Sequence, residues 1–151
     1  MRTTSLTLLT AVAAAVLVGP GIASADPVPT DSTDIAQVRA YVDALISHNT
    51  DAVRLAPDTV RVENGATTAT TGAQISDDLR NSPVYKTFQG YRDLTLTQNG
   101  DTVTGRWLLD AGGGPVRLVT LAVVETFEVR DGVIHHLDAR ISPAGSRVPR
   151  A

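Results

Sequence analysis

Two glutamates stand where a folded chain could use a carboxylate for chemistry. Glu125 interrupts an apolar stretch, and an acid there must be ion-paired, protonated or open to a cavity. Glu63 ends another alternating stretch just before an Asn-Gly turn. A carboxylate that faces an apolar cavity has a raised pKa and can act as a general base. Strict alternation puts one row of side chains on the same strand face as Glu125: Val119, Leu121, Val123, Phe127 and Val129.

Each glutamate also has an ordinary structural interpretation. Glu63 can face solvent at the end of its strand or cap the turn that follows it. Glu125 can form an ion pair with an arginine, for which the candidates are Arg61, Arg117 and Arg140. The residues themselves leave both pairs of alternatives open.

Three aromatic residues are candidates for the lining of a pocket near these carboxylates. Tyr41 lies on the apolar stripe of a predicted helix, where its phenol can serve a ligand or sit in the core with its hydroxyl satisfied. Tyr85 follows a proline near the end of a second helix, which suits a pocket mouth. Trp107 is of a type that usually anchors a core or an interface. We predict ligand contacts from all three, and from Val123 and Phe127 in the Glu125 row.

The histidines do not form a recognisable metal site. His135 and His136 are adjacent on a predicted strand, so their side chains point to opposite faces. The inward row is predicted to run through Val133, His135, Leu137, Ala139 and Ile141, which makes His135 the pocket residue. The chain has no cysteine, so thiolate catalysis and cysteine-type metal sites are excluded. We predict no metal and no cofactor.

Helices are predicted to come first in the chain. Apolar residues recur at helical spacing from Asp34 to about His48. Thr50 is predicted to cap a second short helix that ends before Pro57. The elements that follow are a strand at 59–63, a polar loop or edge strand at 67–71 and a short helix at 73–81.

Strands dominate the rest of the chain. A hairpin is predicted at Asn99-Gly100, a glycine-rich connection at 110–115, and two long strands at 116–129 and 133–141. The stretch from Leu118 to Val124 is nearly all apolar, which is typical of a strand covered on both faces. Helices followed by antiparallel strands predict an α+β fold, with the helices on one face of a meander.

The N-terminal 25 residues have the pattern of a secretory signal peptide. Arg2 precedes an apolar run of about 13 residues, which is shorter than the roughly 20 that a membrane span needs. Ala23-Ser24-Ala25 predicts cleavage between Ala25 and Asp26, and hence secretion without a stable membrane span. We predict a flexible leader at 26–33, one domain at 34–142 and a flexible tail at 143–151. The net charge of −3 and the scattered basic residues argue against a nucleic-acid partner.

The order of these elements is characteristic in two stretches. One is the first helix followed by Ala56-Pro57-Asp58 and Glu63, and the other is the hairpin from Phe127 to Ile134. Both resemble the nuclear transport factor 2-like superfamily, also called SnoaL-like, which includes the ketosteroid isomerases and limonene epoxide hydrolases, and the chain looks like an uncharacterised secreted branch of it. The resemblance implies a cone-shaped curved sheet packed on N-terminal helices, a pocket inside the cone, and a homodimer.

The resemblance also implies roles for three residues. Glu63 lines up with the general-base aspartate of the ketosteroid isomerases. Glu125 lines up with the protonated oxyanion-hole aspartate of the same enzymes if the hairpin turns here are one residue shorter. Tyr41 lines up with their oxyanion tyrosine if a gap of two residues before Glu63 is allowed. Glutamate stands in place of aspartate at both acid positions, and the chain is poor in aromatic residues, so steroid chemistry is disfavoured.

Three functions remain open on the sequence. The first is a secreted protein that binds a small, largely apolar molecule in the cone. The second is an enzyme of the proton-transfer type, with Glu63 as base and Tyr41 and Glu125 stabilising an oxyanion. The third is a structural or interaction module whose cone is filled by side chains. Fold alone does not decide among them.

Overall fold

The computed structural model of the protein describes residues 31–145. The predicted signal peptide with its cleavage site, most of the predicted leader, and the chain beyond residue 145 lie outside the described residues. The last strand runs to Pro143, one residue past the predicted end of the domain.

Helix α1 (Thr33–Ser47) packs on the sheet and carries Tyr41. Its N-cap is Ser32, whose hydroxyl accepts from the Ile35 amide, so the helix begins one residue before the predicted start at Asp34. The Asp34 carboxylate accepts from the Gly132 amide at 2.9 Å, which joins the start of the helix to the last hairpin. The helix ends at His48 in a left-handed conformation, as expected for that segment.

The predicted second helix from Thr50 is wrong. The chain makes one turn there, closed by a bond from the Val53 amide to the Thr50 carbonyl, and a strand begins at Leu55. The Thr50 hydroxyl does not cap a helix because it accepts from Arg80 Nε at 2.6 Å. It therefore joins this turn to a helix that comes later in the chain.

Six strands form one sheet, with a second helix between the second and third strands. The elements are β1 (Leu55–Glu63), β2 (Ala66–Ala69), α2 (Gly72–Asn81), a single 3₁₀ turn (Tyr85–Thr87), β3 (Phe88–Asn99), β4 (Thr102–Gly113), β5 (Val116–Arg130) and β6 (Val133–Pro143). The strand order is β2-β1-β6-β5-β4-β3. All neighbours are antiparallel except β1 and β6, which are parallel. The α+β prediction is confirmed, and the parallel pair is an addition to it.

The core lies between α1, α2 and the concave face of the sheet. Four residues of the row predicted for β5 are buried on this face, namely Val123, Glu125, Phe127 and Val129, whereas Val119 at the start of the strand is 40% exposed. From β4, Trp107 and its alternate neighbours face the same way. No helix within residues 31–145 is long and apolar enough to cross a membrane.

The other, convex face of β5 has no helix packed on it within the described part of the chain. Leu118 is 75% exposed there, and Ala122 and Val124 are half-buried. The prediction that this stretch is covered on both faces is therefore wrong for the single chain. Both helices pack against the concave side, which leaves an apolar strip open on the convex side.

Candidate functional site

A cavity of about 380 Å³ opens between the concave face of the sheet and the helices. Most of its wall is apolar, and its polar groups are three carboxyls, one guanidinium, one serine hydroxyl and three aromatic side chains with polar atoms. The apolar lining comes from Leu45, Val84, Phe88, Leu109, Leu121, Val123, Ala139 and Ile141. The polar and charged lining comes from Tyr41, Arg61, Glu63, Asp78, Ser82, Tyr85, Trp107 and Glu125.

Strand register brings the two glutamates into one row. Glu63 on β1 pairs with Ala139 on β6, and Ala139 pairs with Glu125 on β5. The next residue in the row is Gly105 on β4. Small residues at these two positions leave space above the sheet between and beside the carboxyls.

Trp107 occupies part of the space that Gly105 leaves. A methyl group on Gly105 would come within 2.8 Å of Cζ3 of the indole ring. The ring is buried, with 3% of Trp107 exposed, and it lines the cavity. Glycine at position 105 is therefore required for the observed position of the indole.

Glu63 is held by one hydrogen bond and one ion pair. Tyr85 donates its hydroxyl hydrogen to Glu63 Oε1 at 3.1 Å. Arg61 Nε lies 3.7 Å from the other carboxylate oxygen. The Glu63 side chain is 25% exposed, so one side of its carboxylate remains open to solvent and to the cavity.

Arg61 is the charged residue at the centre of the site. Its side chain is 3% exposed and donates from Nη2 to Asp78 on α2 at 2.5 Å and from Nε to Thr68 on β2 at 2.9 Å. Its guanidinium also lies over the Tyr85 ring, 5.5 Å from the ring centre. These contacts fix the guanidinium against the cavity wall.

Two buried donors in this wall have no acceptor within residues 31–145: Arg61 Nη1 and Trp107 Nε1. A buried donor without an acceptor costs about 1–3 kcal/mol, and native proteins contain few of them. Both side chains line the same cavity. The two donor atoms themselves have almost no accessible surface, so they lie behind the cavity wall and not in contact with its open space.

Glu125 is buried in the cavity wall with 3% exposure. Burial raises the pKa of its carboxyl to about 8, with Glu63 contributing further in the same direction. Within the described chain, Glu125 forms no ion pair with Arg61, Arg117 or Arg140. Arg61 pairs instead with Asp78 and Glu63, and Arg117 pairs with Asp110. At neutral pH the protonated form dominates, and it offers a hydroxyl donor to the cavity.

Tyr41 is a buried phenol on the opposite wall. It is 2% exposed and meets Phe127 edge to face, with ring centres 5.4 Å apart. Burial, and next the Glu125 carboxyl, raise its pKa well above the usual value. Its hydroxyl makes no hydrogen bond to the residues that the structure describes, so it is available to a ligand as a donor.

Six of the eight residues predicted for the site line the cavity: Tyr41, Glu63, Tyr85, Trp107, Val123 and Glu125. Phe127 does not, because it lies fully buried beneath Tyr41.

The prediction that His135 faces the pocket is wrong. The register between β5 and β6 shifts at this point, since Glu128 pairs with His136 and Val129 with Ile134. His135 is the extra residue, and this bulge puts Ile134 in the core in its place.

Arg61 and Asp78 are the functional candidates that the sequence reasoning did not assign to the pocket. Arg61 stands two residues before Glu63 on the same strand, so alternation alone places both on one face. Asp78 carried no comparable signal, because its contact with Arg61 depends on how α2 docks. Within residues 31–145, no group of three or more histidines or acidic residues is arranged to hold a metal ion.

Solved structures share this fold. An LEH-like epoxide hydrolase from M. tuberculosis matches with a TM-score of 0.61 and 24% identity, over 73% of this chain and 83% of that one. An NTF2-like protein of unknown function from Cytophaga hutchinsonii matches with a TM-score of 0.58 and 17% identity, over 76% of this chain and 95% of that one. A de novo designed protein with a curved β-sheet matches with a TM-score of 0.59 and 17% identity, over 74% of this chain and 86% of that one. At these identities the likeness is one of fold.

The fold is thus that of the nuclear transport factor 2-like, or SnoaL-like, class, which confirms the resemblance in the sequence. Residues 29–141 match the family described as "Domain of unknown function (DUF8021)", and the chain belongs to that family. A search of the curated proteins found no match.

Proposed function

We propose that this protein binds a small, largely apolar molecule in the cone. The observation that carries the proposal is the cavity itself, about 380 Å³ with apolar walls and a few polar groups turned into it. This is the usual composition of a small-molecule site, in which apolar area supplies affinity and a few polar atoms fix orientation. The open volume weighs against the alternative of a structural module with a filled cone.

A blocking substitution tests this proposal. Ala139 lies between the two glutamates on the cavity floor, so Ala139→Leu places a larger side chain in the cavity. The matched control is Ala122→Leu, on the convex face of β5. With Nile red as an uncharged probe, we expect saturable binding to the parent and to Ala122→Leu, and loss of at least tenfold in affinity for Ala139→Leu. Equal binding by all three proteins would contradict the proposal.

A second candidate function is proton transfer, and the unlike surroundings of the two carboxyls favour it. Glu63 accepts from Tyr85 and lies near Arg61, whereas burial raises the pKa of Glu125 to about 8. Two carboxyls in such unlike surroundings can divide the roles of base and acid. Glu63 would take a proton from carbon next to a carbonyl, and Glu125 and Tyr41 would donate hydrogen bonds to the resulting oxyanion.

Hydrogen–deuterium exchange separates this candidate from simple binding. Acetonaphthone has a methyl group next to its carbonyl, and a base can remove a proton from that methyl and return a deuteron from D₂O. We expect exchange faster than in buffer, lost in Glu63→Gln with binding retained. If the parent binds acetonaphthone but does not accelerate the exchange, proton transfer is contradicted and only the binding function remains.

Export and dimerisation complete the proposal. The signal-peptide pattern supports secretion, and the N-terminal sequence of protein recovered from the culture medium should begin at Asp26. The open apolar strip on the convex face, with Leu118, Ala122 and Val124, supports a homodimer that buries it.

A further inference from the structure

Two carboxyls stand in one row on the floor of the cavity. Glu63 on β1 and Glu125 on β5 both line the cavity, and Ala139 of β6 is the only residue of the row between them. Neighbouring strands lie about 4.8 Å apart, so the backbones of the two glutamates are about 10 Å apart. Because Ala139 carries only a methyl group, the space above it is open to a group of a ligand.

The Glu125 carboxyl is a donor that has no acceptor in the described chain. It is 3% exposed and has neither an ion pair nor a hydrogen bond within residues 31–145. A buried carboxylate without a cation or a donor is strongly disfavoured, so Glu125 keeps its proton at neutral pH. The closed-off polar atoms without a partner in this part of the chain belong to Arg61 and Trp107, so the unpartnered oxygens of Glu125 remain in contact with the open cavity.

Glu63 has the opposite capacity, because its carboxylate only accepts. Its Oε1 accepts from the Tyr85 hydroxyl at 3.1 Å. Arg61 Nε lies 3.7 Å from Oε2, which is an ion pair beyond hydrogen-bond distance. A carboxylate offers about four lone-pair sites, so Glu63 can accept a further hydrogen bond on its open side. The row therefore has an acceptor on one side of Ala139 and a donor on the other.

The common polar groups differ in how well they fit this pair. A carbonyl accepts from Glu125 but brings no donor for Glu63. An ammonium group donates to Glu63 but leaves Glu125 without an acceptor, unless Glu125 loses its proton inside a poorly solvated wall. A hydroxyl both donates and accepts, and it carries no charge into the cavity.

We infer that the cavity selects uncharged ligands with an alcohol group, whose hydroxyl lies above Ala139, donates to Glu63 and accepts from Glu125. The inference rests on the proposed binding function and adds its ligand class and two specificity-determining residues. The apolar remainder of the cavity holds the hydrocarbon part of such a ligand.

Four naphthalene derivatives with the same carbon skeleton test the selection. Naphthylethanol, with its hydroxyl on the carbon next to the ring, donates and accepts. Acetonaphthone only accepts, the matching naphthylethylamine is a cation that only donates, and ethylnaphthalene has no polar group. In competition with Nile red at neutral pH, we expect naphthylethanol to bind about three- to tenfold more tightly than acetonaphthone, because it makes one more hydrogen bond. The amine and ethylnaphthalene should also bind more weakly than naphthylethanol.

A substitution at Glu125 tests the donor. Glu125→Leu replaces the carboxyl by an apolar side chain of similar size. We expect the affinities for naphthylethanol and acetonaphthone to fall about three- to tenfold relative to that for ethylnaphthalene. Leu109→Val, which alters another lining residue and no polar group, should change all three affinities by the same factor. Circular dichroism and the melting temperature confirm that each variant is folded.

A substitution at Glu63 tests the acceptor. Glu63→Gln replaces one carboxylate oxygen by a donor and removes the charge from the other, which weakens the hydrogen bond that it accepts. We expect the preference for naphthylethanol over acetonaphthone to disappear in this variant, while both still bind. An unchanged preference would show that Glu63 does not accept from the hydroxyl.

The pH gives a further reading of the donor. Burial raises the pKa of Glu125 to about 8, and the other groups that act on this carboxyl are Glu63 and Arg61 of β1 and Asp138 of β6, with the Tyr41 phenol of α1 close by. Above this pH the carboxylate only accepts, so naphthylethanol and acetonaphthone should lose affinity relative to ethylnaphthalene. Glu125→Gln keeps an N–H donor at every pH and should show no such loss.

The outcomes separate this inference from the proposed function. Tighter binding of acetonaphthone or of the amine than of naphthylethanol, or equal binding of naphthylethanol and ethylnaphthalene, would overturn the selection and leave binding standing. Failure of Nile red and of all four probes would overturn both.

Discussion

Glu63 and Glu125 lie in one row across the sheet, with only Ala139 of the intervening strand between them. The two carboxyls share a cavity but differ in their contacts. Glu63 accepts a hydrogen bond from Tyr85, whereas Glu125 has no hydrogen-bond partner in the described chain and is more deeply buried. Their shared row explains why Glu63 is the second cause, after burial, of the raised pKa of Glu125.

Glu125 should make the stability of the protein depend on pH. Its pKa is about 8 in the fold against an ordinary value of 4.5, so between these values the folded state keeps a proton that the unfolded state has lost. Its contribution to the free energy of unfolding therefore falls as the pH rises through this window, and levels off above it. Relative to the parent, Glu125→Gln should gain stability with rising pH, by on the order of a few kcal/mol at pH 9.

Urea denaturation of both proteins from pH 5 to pH 9 measures this difference, with about 1.4 kcal/mol per pH unit as its limiting slope. Glu128→Gln, which changes an exposed glutamate three residues along the same strand, is the control and should show no such trend. If the difference in the free energy of unfolding between the parent and Glu125→Gln does not change with pH, the pKa of Glu125 is not raised by the fold.

The ion pair between Arg61 and Asp78 should stabilise the fold. Asp78→Asn removes the closest partner of a nearly buried guanidinium, and we expect a loss of about 1–3 kcal/mol, below the full value for buried pairs because Asp78 is 37% exposed. The neighbouring Asp77→Asn alters an exposed contact with Asn81 and should change stability by less than about 0.5 kcal/mol. Chemical denaturation compares the two, and equal values would mean that the buried pair contributes nothing.

Gly105 should be essential for the position of Trp107. In Gly105→Ala the new methyl group meets the indole at 2.8 Å and Leu96 at 3.2 Å, so the ring must move. We expect a loss of about 1–3 kcal/mol in stability and a shift of the tryptophan emission maximum. Gly90→Ala, where the methyl group meets nothing within 4 Å, is the matched control. An unchanged spectrum in Gly105→Ala would place the indole elsewhere.

The convex strip of β5 should hold the proposed dimer together. Leu118 is 75% exposed, so Leu118→Ser costs the single chain little and removes apolar area from the interface. We expect light scattering to show a shift toward monomer in this variant. Val84→Ser, at another exposed apolar residue away from the strip, should leave the association state unchanged. A parent that is monomeric at all concentrations would contradict the dimer.

Local patterns in the sequence predicted much of the fold. Alternation in β5 correctly placed Val123 and Glu125 on one face, since successive side chains of a strand must point to opposite sides. The Asn64-Gly65 and Asp131-Gly132 turns were also predicted, and all four residues have positive φ, which these types tolerate. The helix predicted after Thr50 failed because that hydroxyl bonds to Arg80, a partner thirty residues away.

The sequence by itself determined the class of fold, the apolar faces and the presence of two carboxylates among apolar side chains. Only the tertiary structure decided which polar groups meet. The bulge at His135 depends on how β6 registers with both neighbours, and it removed that residue from the pocket. The pairing of Arg61 with Asp78 and the unsatisfied donors of Arg61 and Trp107 depend on the docking of α2 and on the space above Gly105. Such contacts join residues far apart in the chain, and no local period encodes them.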